Sequence, residues 1–233
     1  MLVKIKRQDN RIAPPFWQTF EYPDRDQGIV SVSSILEYFN LKGLDSEGNA
    51  INPIAWECSC LGKQCGACVM VINRVPGLAC DTFIDPKETQ ELIIEPLSKF
   101  PVIRDLMVDR RVIAEHQIEA GLYRKTDVKV NIEEYKYQYM AAKCLKCGLC
   151  LEVCPNYSME GLHHYGAVMA HETYLIASTC PDQRTELKET FEKHFGRSCS
   201  GCMTCRNICP VSISTLASNG YMMKLGKQKK GKK

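Results

Sequence analysis

Cys144-Leu145-Lys146-Cys147-Gly148-Leu149-Cys150-Leu151-Glu152-Val153-Cys154-Pro155 reads C-x2-C-x2-C-x3-C-P. The same spacing returns in Cys199-Ser200-Gly201-Cys202-Met203-Thr204-Cys205-Arg206-Asn207-Ile208-Cys209-Pro210. Such a run holds cubane iron–sulfur clusters, and where two runs occur the fourth cysteine of each crosses to the other cluster. The crossing assigns Cys144, Cys147, Cys150 and Cys209 to a first [4Fe–4S] cluster. Cys154, Cys199, Cys202 and Cys205 go to a second. The short steps suit a tight-turn or helical backbone that presents successive thiols to one cube. Pro155 and Pro210 redirect the chain after each crossing ligand and remove one N–H.

Upstream, Cys60, Cys65, Cys68 and Cys80 form C-x4-C-x2-C-x11-C. This is the plant-type pattern for a [2Fe–2S] cluster. A loop that wraps a compact cluster needs small or permissive residues, and Gly62, Gly66 and Ala67 are expected to supply them. The three groups take twelve of the fourteen cysteines. Structural zinc favours paired C-x2-4-C steps, so zinc fits the spacing less well. Using Cys58 with Cys60 is off-pattern, so Cys58 is expected beside the cluster or buried. Cys180 is expected to be a small buried hydrophobe.

The chain has 233 residues, 45% apolar and 24% charged, as a folded globular protein of one large or two modest domains has. Cysteine is about 6% of it, short of the roughly 8–10% that marks a small disulfide scaffold. The net charge is +3, but from Gly220 onward there are six lysines and no acids, which leaves −3 for the rest. A basic stripe for nucleic acid is missing. The tail reads as a solvated segment or, more sharply, as one drawn to an anionic membrane surface, at about 1 kcal/mol per lysine. No run nears the roughly 18 apolar residues of a spanning helix. The first residues lack the apolar core of a secretory signal. The expectation is a peripheral protein on the cytoplasmic face of the inner membrane.

The first half alternates as strands do, in Leu2–Arg7 and Trp17–Tyr22, with Val69–Ile72 and Glu91–Glu95 following. A helix is expected from Ser34, with Ser34-Ile35-Leu36-Glu37 as a capping box, and a turn at Pro76-Gly77. Beyond residue 104 the period becomes helical. Leu187, Phe191 and Phe195 fall on one face of a helix over residues 183–196, which Gly196 should stop. The 44 residues between Cys154 and Cys199 leave room for two helices. The fold class is therefore α+β: an N-terminal β-grasp [2Fe–2S] ferredoxin domain, residues 1–105, and a C-terminal all-α bacterial-ferredoxin-like domain, residues 106–233. His163, His164 and His171 are candidates to donate to a cluster sulfur or a quinone, with a core or surface histidine the plainer reading for each. There is no phosphate loop, nucleophile elbow or H-E-x-x-H, so the chain has no catalytic residue of its own and reads as an electron conduit.

The order [2Fe–2S], cubane, cubane resembles the iron–sulfur subunit of the succinate dehydrogenase and fumarate reductase family. The resemblance covers nearly the whole chain. It is carried by Cys60-Leu61-Gly62-Lys63-Gln64-Cys65-Gly66-Ala67-Cys68, Asn73-Arg74-Val75-Pro76-Gly77-Leu78-Ala79-Cys80, Phe100-Pro101-Val102-Ile103-Arg104-Asp105-Leu106 and the Cys144–Pro155 run. The second and third of these look closer to fumarate reductases. The resemblance implies a flavoprotein partner holding FAD and the dicarboxylate, and a membrane anchor, either a cytochrome b or a cysteine-rich subunit. It implies service in anaerobic respiration or the tricarboxylic acid cycle, with no nucleic-acid partner. In most of the family the last group lacks the second cysteine and its cluster is [3Fe–4S]. Here Cys202 stands there, so the last cluster is expected to be [4Fe–4S] and of lower potential. Asn156-Tyr157-Ser158 lacks the tryptophan of quinone-linked relatives, so quinone-site residues do not carry over. A quinone-coupled relay is the leading expectation. The alternatives are the same relay coupled to a thiol/disulfide or soluble carrier, and a zinc-stabilised binding module.

Overall fold

The computed structural model describes residues 1–23, 28–129, 132–159 and 164–225. Backbone contacts divide the chain into two units, Met1–Asp109 and the remainder from Arg110.

The first unit is built on a five-stranded mixed sheet. Its strands are β1 (Leu2–Arg7), β2 (Phe16–Glu21), β4 (Val69–Ile72), β5 (Val75–Leu78) and β7 (Glu91–Glu95), in the order β2-β1-β7-β4-β5. β1 runs parallel to β7, and the other neighbours are antiparallel. Two small ribbons complete it: β3 (Val30–Ser31) with β6 (Phe83–Ile84), and β8 (Val102–Arg104) with β9 (Met107–Val108). Alternation along β1 buries Val3 and Ile5 while Leu2 faces solvent, as a half-buried strand requires. One helix, α1 (Val32–Lys42), lays Ile35, Leu36 and Phe39 on this core. Phe39 stacks on Phe20 at 4.8 Å. Each such fully buried side chain contributes about 1.5–3 kcal/mol.

Two local expectations are corrected. The helix starts earlier than Ser34. Ser31 is its N-cap, in extended conformation, and its hydroxyl accepts from the Ser34 N–H at 3.2 Å. Three serines in four positions compete for this role, and the one at the end of β3 already has the extended geometry that a cap needs. The turn before Cys80 is at Asn73-Arg74, not Pro76-Gly77. Both residues have positive φ, 48° and 68°, and Ile72 pairs with Val75, which makes a two-residue hairpin. Asn73 is held there by Ile93, whose N–H donates to its Oδ1 at 2.8 Å. Pro76 instead sits in β5, an edge strand, where a missing N–H is tolerated.

The second unit is helical: α2 (Val112–Glu119), α3 (Tyr135–Ala142), α4 (Leu149–Glu152), α5 (Gly166–Thr179), α6 (Arg184–Phe191), α7 (Thr204–Asn207) and α8 (Thr215–Leu225). α5 is buried on almost every side, which makes it the central helix, with α3, α4, α6 and α8 packed against it. The expected pair of helices between Cys154 and Cys199 is α5 and α6. Leu187, Phe191 and Phe195 are all buried, as their stripe predicts. The helix does not run evenly to Gly196. It widens into a π turn over Glu192–Gly196. Gly196 keeps an ordinary negative φ, and its role is close approach: a Cβ there would meet the Phe191 ring at 3.0 Å.

Candidate iron–sulfur sites

In the first unit the segment before β4 curls around the sulfurs of Cys60, Cys65 and Cys80. Leu61 and Lys63 have φ of 50° and 60°, and Gly66 has 69°. The left-handed positions thus fall on two non-glycine residues as well as Gly66. Gly62 is not one of them, and a Cβ there meets nothing closer than 3.5 Å. This curl turns successive backbone N–H groups inward. Those of Gly62, Gln64 and Cys65 donate to Cys60 Sγ at 3.4, 3.2 and 3.3 Å. Lys63 N–H donates to Cys80 Sγ at 3.3 Å, and Ala67 N–H to Cys65 Sγ at 3.4 Å. The N–H groups of Gly62 and Gln64 stabilise a Cys60 thiolate and bring its pKa down to about 7. Burial pushes the Cys68 thiol up to about 11. Cys80 lies on a short turn, Ala79–Asp81, and is also buried. Cys58 is exposed, which removes the buried alternative and leaves the one beside the cluster.

In the second unit the two cysteine runs share a local geometry. Gly148 (φ 90°) opens α4, which carries Cys150, and Met203 (φ 67°) opens α7, which carries Cys205. Cys144, Cys147, Cys150 and Cys209 line one cavity together with Cys205, Val168, His171 and Ile213. Arg110 donates to the Cys147 carbonyl at 3.1 Å, and Ile213 N–H to Cys209 Sγ at 3.4 Å. Burial raises the Cys144 thiol to about 11, raises Cys147, and drives Cys150 well above its usual value. Burial also raises the Cys205 thiol, and charge repulsion from Cys199 and Cys154 adds to it. Cys202 is exposed, 3.2 Å from Thr204 Oγ1, whose hydrogen bond lowers its pKa. Cys180 is fully buried, as expected.

The histidines divide. His163 lies outside the described residues. His164 is buried, with Nε2 3.4 Å from Cys154 Sγ and Nδ1 2.6 Å from Ser198 Oγ. His171 meets Ser218 Oγ at 3.1 Å, and burial lowers its pKa to about 4. A third arrangement has no signature in the sequence: Tyr165 is sandwiched between His116 at 3.8 Å and His194 at 4.1 Å.

Among the described residues, no three His, Cys, Asp or Glu side chains converge on a position for one metal ion. A cluster spreads its thiolates over several irons, so it accepts a wider arrangement. N–H groups aimed at sulfur, buried thiols and the absence of competing acids from the lining of the Cys144–Cys209 cavity suit a sulfide cluster.

Two family models match the chain. Residues 2–115 match a 2Fe-2S iron-sulfur cluster binding domain, and residues 140–213 match a 4Fe-4S dicluster domain. Fold and motifs together define an iron–sulfur electron-transfer protein of the α+β class. The chain is 30% identical to the succinate dehydrogenase iron-sulfur subunit of Bacillus subtilis, across 92% of this chain and 87% of that one. It is 29% identical to the fumarate reductase iron-sulfur subunit of Escherichia coli, across 73% of each. A chain of the Mycobacterium smegmatis Sdh1 complex in the apo form has the same fold, with a TM-score of 0.72, 19% identity, and 99% and 97% of the two chains covered. The chain belongs to the family of succinate dehydrogenase and fumarate reductase iron–sulfur subunits. Among the described residues no helix is long and apolar enough to cross a membrane.

Proposed function

We propose that this chain relays electrons between the FAD of a flavoprotein subunit, where fumarate and succinate interconvert, and a membrane partner with its quinone. Bound clusters supply one-electron carriers in series. Cys60, Cys65, Cys68 and Cys80 hold a [2Fe–2S] cluster in the half we delimit as residues 1–105. In residues 106–233, Cys144, Cys147, Cys150 and Cys209 hold a first [4Fe–4S] cluster, and Cys154, Cys199, Cys202 and Cys205 a second. The observation that carries this reading is the cavity that Cys209 shares with Cys144, Cys147 and Cys150, across some sixty residues of chain. The backbone's part is to aim N–H groups at sulfur and stabilise negative charge there. The protein works at the cytoplasmic face of the inner membrane, held by its partners.

Anaerobic purification with the flavoprotein tests it. The expected iron content is about ten per chain, from one two-iron and two four-iron clusters, with three distinct EPR signals on reduction. Colourless protein with about three zincs per chain overturns the reading.

Cys202 favours a second terminus. A four-iron cluster at the far end has a lower potential than the three-iron form common in the family, which suits a thiol/disulfide or soluble carrier reached through a cysteine-rich partner. Quinol-driven fumarate reduction by the purified complex decides for the quinone. Turnover with thiols but not quinol decides for the alternative.

A further inference from the structure

One buried imidazole ties the turn after Cys154 to the approach to Cys199. His164 Nε2 is 3.4 Å from Cys154 Sγ, and its Nδ1 is 2.6 Å from Ser198 Oγ. Asn156 Nδ2 donates to the Ser198 carbonyl at 2.6 Å. The His164 ring stacks on Phe195 at 5.5 Å and 24°, which limits its rotation. Ser198 immediately precedes Cys199. The chain Cys154–His164–Ser198–Asn156 therefore spans the two runs that share the second cluster.

The proton positions follow from counting donors. Ser198 has one hydroxyl proton, and it reaches the Phe195 carbonyl at 3.2 Å. With that proton on Phe195, Nδ1–H donates to Ser198 Oγ, and Nε2 is left to accept from a Cys154 thiol. A cluster ligand is a thiolate and has no proton to give. The Phe195 carbonyl also accepts from the N–H groups of Ser198 and Cys199, at 3.1 and 3.0 Å. It stays satisfied when the hydroxyl turns away. The hydroxyl then donates to Nδ1, and the ring carries its proton on Nε2, facing the sulfur.

We infer that His164, oriented by Ser198, donates an Nε2–H hydrogen bond to the Cys154 sulfur of the loaded protein and raises the reduction potential of the second cubane. An N–H on a ligand sulfur stabilises the extra negative charge of the reduced cluster. His164 is thus a positioning residue that tunes the last carrier. The inference rests on the assignment of Cys154 to that cluster.

The test is an EPR-monitored redox titration of the complex, purified without oxygen, for His164→Leu, His164→Gln and Ser198→Ala. His164→Leu is expected to shift the midpoint of the second cubane downward and leave the other two clusters where they were. His164→Gln keeps an N–H near the Nε2 position and restores most of the shift. Ser198→Ala lowers the midpoint partway. An unmoved midpoint in His164→Leu overturns the inference, and so does a shift in His164→Gln as large as in His164→Leu. If His164→Leu loses the cluster, pulsed EPR of the wild type in deuterated water decides. An exchangeable deuteron coupled to the second cubane, retained in His164→Gln, supports the bond, and its absence from the wild type overturns it. Cys154→Ser separates the two readings. If it leaves the second cubane unchanged, the ligand assignment has failed. If it alters that cluster while His164→Leu does not move the midpoint, only the role of His164 has failed.

Discussion

Replacing Asp105 with Asn should cost the first unit about 3–5 kcal/mol. Asp105 is buried at the bend between β8 and β9, and its Oδ1 accepts from Arg7 Nε at 2.8 Å. The same oxygen accepts from Gln8 N–H at 3.1 Å, and Oδ2 accepts from Ala55 N–H at 2.8 Å. Arg7, itself 2% exposed, spends its other donors on Gln18 Oε1 and the carbonyls of Asn52 and Pro53. The pair thus fastens β1 to the segment that leads into the Cys60 loop. The side chains are 3% and 0% exposed, so solvent screening does not soften the loss. Breaking a buried ion pair by removing one charge costs about 3–5 kcal/mol, because the survivor stays desolvated. Asparagine keeps the shape and tolerates the φ of 47° at this position, so backbone strain contributes little. For a unit of this size, roughly 4 °C is lost per kcal/mol, or about 12–20 °C in all. The assay is thermal unfolding followed by the visible circular dichroism of the [2Fe–2S] cluster. Arg7→Met combined with Asp105→Asn should recover part of the loss, since no buried unpaired charge remains; Arg104, 3.8 Å from Oδ2, is largely solvated. A single-variant cost below about 1 kcal/mol, the value of an exposed pair, would refute the reasoning.

Three further outcomes are expected. Cys202→Ser should convert the second cubane to a three-iron cluster with an EPR signal in the oxidised protein; that signal already present in the wild type would remove Cys202 from the ligand set. Gly166→Ala should lower stability by roughly 2–4 kcal/mol in urea unfolding, because Gly166 has φ of 74° and an added Cβ would strike the buried Leu151 side chain. His171 supplies a pH dependence. Burial holds its pKa near 4 against an ordinary value of 6.5, so the folded state binds its proton less readily than the unfolded one. Its contribution is complete above pH 6.5 and is lost as pH falls toward 4, by up to about 3 kcal/mol at 1.36 kcal/mol per pKa unit. Urea midpoints measured from pH 7 to 4 should fall less steeply in His171→Gln than in the wild type.

The alternating strands Leu2–Arg7 and Glu91–Glu95 and the stripe Leu187, Phe191, Phe195 were legible because burial imposes a period on each element. Element ends were less so. Ser31 outcompetes Ser34 as a cap because β3 delivers it already extended. Asn73-Arg74 turns in place of Pro76-Gly77 because pairing of Ile72 with Val75 leaves only those two residues for the loop. The left-handed Leu61 and Lys63 carry no sequence signal, since their conformation is stabilised by the N–H groups it turns toward sulfur.

Ligand spacing is a local property. A thiolate and its neighbour three residues on meet the same small cofactor whatever the rest of the chain does, so a 2Fe-2S domain followed by a 4Fe-4S dicluster domain was legible in the cysteine spacing. Which other distant groups meet was left to packing. The grouping of Cys209 with Cys144, Cys147 and Cys150 was already in the motif, and the four line one cavity; that His164 reaches both Cys154 and Ser198 was not. That approach depends on side-chain volume and hydrogen-bond direction in three dimensions, and neither has a period along the chain.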